Sequence, residues 1–100
     1  MDNIEELKSK YAGVEIYTLT VLNRQGAPIT VQLREMDRIA YKVVSALIAK
    51  DELQGVESFL RTLCVSGDVE LIIGDFKALR SAARTILPML ETEAGELKKN

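Results

Sequence analysis

The sequence predicts a small α+β domain, an N-terminal helix and a β-hairpin packed against a bundle of three to four helices. Three observations predict it. Apolar and polar side chains alternate through "VEIYTLTVL" at 14–22 and "ITVQLR" at 29–34, on either side of the turn cluster "NRQGAP". The period of the apolar residues lengthens from two to between three and four inside "QLREMDRIAYKVVSAL" at 32–47. Asp51, Asp68 and Asp75 each stand just before an apolar run, the place of a helix N-cap.

The elements follow in chain order. "DNIEELKSKY" at 2–11 reads as a short helix. Asp2 and Glu5 have the spacing of a capping box, the acids come first and Lys8 and Lys10 last, and Ile4, Leu7 and Tyr11 form one apolar stripe. Gly13 ends it, because glycine reaches the left-handed backbone region without steric cost. β-Branched and aromatic residues make 14–22 a strand. In the hairpin, Tyr17, Leu19, Val21, Ile29, Val31 and Leu33 form the buried face, and Thr18, Thr20, Thr30, Gln32 and Arg34 the wet one.

A helix over 36–49 comes next, with Asp37 in its first turn. Met36, Ile39, Ala40, Val43, Val44, Leu47 and Ile48 lie on its inner side, and Val43 and Leu47 are assigned to the core. Asp51 caps another helix, with Leu53, Val56, Leu60, Leu63 and Cys64 inward and Gly55 weakening it by roughly 1 kcal/mol relative to alanine. "SGD" at 66–68 is a turn, and Asp68 caps "VELII". That run is read as a short helix, although a buried strand of the same length carries the same pattern. Asp75 caps a long helix with Phe76, Leu79, Ala82, Ala83, Ile86, Leu87 and Leu90 inward. Pro88 is expected to kink or break it, since proline has no amide hydrogen. The polar tail at 92–100 is expected to fray.

Composition narrows the function. One hundred residues, 47% of them apolar, make one domain over 1–100. A net charge of −2 argues against a general nucleic-acid binder. No apolar run approaches the ~20 residues of a membrane span. The acidic start is the opposite of a signal peptide's basic one, and the single cysteine permits no internal disulfide, which suits a cytoplasmic protein.

The side chains that carry chemistry are sparse. With no histidine there is no Ser-His or Cys-His nucleophile pair and no histidine metal ligand, and the isolated glycines do not have phosphate-loop spacing. Neither an enzyme nor a cofactor, metal or small-molecule substrate is expected. Asp68, Glu70 and Asp75 lie close in sequence but lack calcium-loop spacing, so they read as two caps and a surface acid. Lys77, Arg80 and Arg84 share one helical stripe and read as a solvated face. Cys64 reads as a small buried hydrophobe, inert to thiol reagents. At least one hairpin edge is expected to be open, with Thr18, Thr20, Thr30, Gln32 and Arg34 the candidate partner-binding residues.

One family resemblance adds to this. "LKSKYAGVEIYTLTV", a strand ending "LRE" that leads straight into a helix, the "SGD" turn and a terminal helix ending "ELKKN" resemble small phage and prophage proteins of the tail-assembly-chaperone-like group, mainly from phages of Bacteroidetes. Lys10, Tyr11, Arg34, Gly67 and Asp68 match that group's junctions. Ala12 intervenes before Gly13, and Glu35-Met36 stands where the group has a proline. The resemblance implies a cytoplasmic binding protein in the bacterial host that shields apolar segments of a long helical tail protein. A structural virion component (a connector, minor capsid or tail protein) that forms an oligomer is the alternative. Partners would then be a protein, the chain itself, or both, with no nucleic acid and no membrane.

Overall fold

The computed structural model describes the backbone of residues 4–98 and, within it, the side chains of residues 5–7 and 9–90. The elements are α1 (Ile4–Lys10), β1 (Ile16–Leu22), β2 (Pro28–Arg34), α2 (Arg38–Lys50), α3 (Glu52–Leu63), β3 (Cys64–Ser66), α4 (Val69–Ile73) and α5 (Phe76–Lys98). The three strands form one antiparallel sheet in the order β1-β2-β3, so the chain is α+β as its pattern predicts. No described helix is long and apolar enough to cross a membrane.

The hairpin forms where the alternation predicts it. Asn23 closes its loop: its N–H donates to the Ala27 carbonyl (2.8 Å), and its Oδ1 accepts from the amides of Gln25 and Ala27 (both 2.9 Å). Gly26 turns the chain with φ +81°. Leu19, Val21, Val31 and Leu33 are buried against the helices and Ile29 is partly buried. Tyr17, expected in the same row, is 44% exposed because it lies at the open end of the sheet, beside Arg34 and Glu35. Leu7 of α1 is buried as the first helix's stripe predicts, while the capping box at Asp2 lies outside the described residues.

A third strand at 64–66 is the element the sequence pattern did not show. Cys64 is not on a helical face. It is the C-cap of α3 and the first residue of β3. β3 pairs Ser66 with Gln32 and Cys64 with Leu33, so Val65 is an extra residue, a β-bulge. Gly67 then turns the chain at φ +97°, where an added Cβ would meet the Thr30 carbonyl at 2.9 Å. "VELII" is the short helix α4, capped by Asp68, whose Oδ1 accepts from the Glu70 amide (3.0 Å).

The helices differ from expectation in which faces they bury. α3 packs Val56, Phe59, Leu60 and Leu63 inward, and Gly55 sits against α2. α2 buries only Ala40 and Val44; Ile39 is 76% exposed, Val43 is 51% exposed, and Leu47 is half-buried. Its neighbour α3 covers one side of an apolar stripe wider than the contact. Asp37 is the N-cap of α2 and not part of its first turn; its Oδ1 accepts from the Ala40 amide (2.8 Å). α5 runs through Pro88 without a break and on to Lys98, through the stretch expected to fray. Pro88 is exposed, as is Arg84, whose carbonyl loses its helical donor there, so water can reach that carbonyl and the helix continues. Phe76, expected inside, is 63% exposed at the first turn of α5, while Leu79, Ala82, Ala83, Ile86 and Leu90 are buried.

Candidate protein-binding surface

Among the described residues β2 lies between two strands and β1 pairs with a strand on one side only, so β1 is an edge of the sheet. The hydrogen-bond phase shows which of its backbone groups face outward. The Glu35 amide donates to the Glu15 carbonyl (2.8 Å), and the Asn23 amide to that of Ala27. In an antiparallel ladder the hydrogen-bonded pairs alternate. Residues 17, 19 and 21 therefore point their backbone groups at β2, and Ile16, Thr18, Thr20 and Leu22 point theirs away from it. No hydrogen bond from the described residues reaches these outward groups. β1 has no charged residue, no proline and no bulge, the features that ordinarily protect an edge.

The five residues singled out as a partner-binding face lie on the opposite face from the core, and most of their side chains pair within the sheet. Thr18 Oγ1 donates to Gln32 Oε1 (2.7 Å), and the hydroxyls of Thr20 and Thr30 share a hydrogen bond (2.9 Å). These pairs are the closely spaced, non-hydrogen-bonded ones, which brings their side chains together. Arg34 reaches Asp37 (3.5 Å) and the Glu35 carbonyl (3.4 Å). What this region leaves open is the backbone of β1 and not the threonine hydroxyls.

Beside that edge lies a cavity of about 170 Å3 between the sheet and the middle of α5. Tyr17, Leu19 and Leu33 form its sheet side, Phe59 its base, and Ile86 and Met89 its helix side. A cavity of about 150 Å3 lined by such side chains holds a benzene-sized molecule, so this one has room for a single large apolar side chain. Tyr17 and Thr18 belong to both the edge and the cavity.

Several charged residues elsewhere are taken up in structural roles. Asp75 caps α5 through the Ala78 amide (3.1 Å) and, across the domain, accepts the Arg24 amide of the hairpin loop (3.1 Å). The hydrogen bonds from these amides, Arg24 foremost, hold its carboxyl below the ordinary range. Glu70 takes two hydrogen bonds from Arg61 (2.9 and 3.0 Å), joining α4 to α3, and that guanidinium lowers its pKa in turn. Burial raises the Cys64 thiol pKa, and its Sγ donates weakly to the Ser66 and Gly67 carbonyls (3.4 and 3.6 Å). Among the described residues no group of three or more His, Cys, Asp or Glu side chains is placed to hold a metal ion. No family model, curated protein or solved structure matches the chain.

Proposed function

We propose that the chain is a non-catalytic binding protein of the tail-assembly-chaperone kind, working in the cytoplasm of a phage-infected bacterium. It holds a segment of a tail protein as an added strand along β1 until assembly. The observation that carries this reading is the unprotected edge, with the outward amides and carbonyls of Thr18 and Thr20 beside an apolar cavity. Strand addition takes its affinity from such main-chain groups and its specificity from pockets for alternate side chains.

Thr20→Pro tests it. Proline at 20 removes an outward donor and no backbone bond to β2, only the exposed side-chain bond to Thr30, so partner binding should be lost while the melting temperature changes little. Retained binding by this variant sinks the strand-addition reading. The Thr30 position does not serve the same test, because β2 is the central strand. The content of purified virions separates the chaperone from a virion component: the chaperone reading expects the protein to be absent. A stable homo-oligomer in sedimentation, abolished by Thr20→Pro, would instead assign the edge to a second copy, as the virion-component reading requires.

A further inference from the structure

α5 shows a second face, which shares no lining residue with the cavity beside β1. Phe76 opens a groove between the start of α3 and the first half of α5, a space of about 530 Å3. Leu53, Ala83 and Leu87 line it with apolar surface, Arg80 and Arg84 stand along α5, and Glu52 stands at the α3 side. Among the described residues Arg80 and Arg84 form no ion pair, and the Arg80 guanidinium lies 5.9 Å from the centre of the Phe76 ring. From Phe76 to Pro88 the groove follows α5 for roughly 18 Å, about three helical turns.

We propose that this groove binds an amphipathic helix of a partner protein, with apolar residues facing Phe76, Leu53 and Leu87 and carboxylates along the flank that meets Arg80 and Arg84. Charge complementarity selects this occupant. The two arginines are one turn apart, which matches acids spaced i, i+4 on a facing helix. Glu52 on the other side repels acids there, so the helix must carry its charge on one flank, and that fixes its direction. The groove offers no open strand: its walls are helices, which present no ladder of outward amides and carbonyls, so an extended peptide has no strand to pair with. Nucleic acid fits less well, since a phosphate backbone makes no use of an aliphatic floor and the whole chain has a net charge of −2.

The test is a display library of helical peptides, about fourteen residues long, with leucine at i, i+3, i+4 and i+7 and flanks randomised among Glu, Lys and Ser, panned on the full chain. Selected peptides should carry glutamate on one flank. The best of them, fluorescein-labelled, should bind at least roughly tenfold more weakly to Arg80→Glu/Arg84→Glu and to Phe76→Ala. Its lysine-for-glutamate version should prefer the double variant to the original chain. All the substituted residues are exposed, and unchanged circular dichroism confirms folding. Thr20→Pro should leave peptide binding intact, which separates this site from the β1 edge. Selection without acidic bias, recovery of no peptide, or affinities indifferent to the arginines would overturn the proposal. So would tighter binding of a duplex oligonucleotide at this groove.

Discussion

α2 and α3 are two amphipathic helices joined by one residue, and they make opposite use of their apolar stripes. Asp51 ends one and starts the other: its amide donates to the Leu47 carbonyl (2.8 Å), and its Oδ1 accepts from the Gln54 amide (3.1 Å). α3 lies between α2 on one side and the sheet and α5 on the other, and its apolar residues are almost entirely covered. α2 packs mainly on α3, and Ile39 and Val43 project from the side that α3 does not reach. A 3.6-residue stripe thus reports that a helix is amphipathic and leaves open which neighbours will cover it. Position in the fold settles that, and α2 is peripheral.

The largest expected effect comes from the covered helix. Leu60 is fully buried, so Leu60→Ala should lower stability in a denaturant titration by about 2–5 kcal/mol. A loss near zero would make α3 as peripheral as α2 and erase the contrast.

The contact between the two helices comes next. A Cβ on Gly55 would lie 2.8 and 2.9 Å from the Ile48 backbone N and Cα, and still closer to its side chain. Gly55→Ala should therefore destabilise by about 1–3 kcal/mol despite alanine's better helix propensity. The propensity cost of glycine is outweighed here, because the glycine lets α2 approach. Stabilisation on this substitution would mean that the two helices lie farther apart.

Asp51→Ala removes the N-cap side chain of α3 at that corner and should cost about 0.5–2 kcal/mol. Asp75→Asn probes the corresponding cap of α5 through pH. A carboxyl whose folded pKa is depressed adds stability above its unfolded pKa and loses it as pH falls through the lower folded value. The substitution should flatten the acid limb of the melting curve and leave its alkaline side unchanged; an unaltered acid limb would dismiss the Arg24 contact. The smallest effect belongs to the uncovered helix, where Val43→Ser should change stability by less than about 0.5 kcal/mol. A loss several times larger would show that this face is covered in the free protein.

Much of the fold was legible because local chemistry specifies it. The hairpin turn and the caps at Asp51, Asp68 and Asp75 rest on residues within a few positions of each other. The errors lie where long-range contacts decide. β3 is three residues at the end of a helix, too short to alternate, and it becomes a strand because β2 is beside it. Phe59, absent from the expected core, is buried on the stripe of Val56 and Leu63. Phe76 heads an apolar run, yet at the first turn it lies beyond the reach of the core. The candidate surface is half legible: the sequence predicts an open hairpin edge, but only the strand order identifies it as β1, and only the side-chain hydrogen bonds show that the threonine hydroxyls are already paired.

The short third strand also bears on the order of events as the chain is made. β2 is complete once residue 34 has emerged, but the strand that closes its far side ends at residue 66, beyond both α2 and α3. During that interval the nascent hairpin is a two-stranded sheet with two open edges, the arrangement least able to stand alone in water. The α2–α3 pair, linked by a single residue, needs almost no loop closure and can form first. Its docking delivers Cys64–Ser66 to β2, so one edge closes as a result of helix packing, and β1 is the edge that remains.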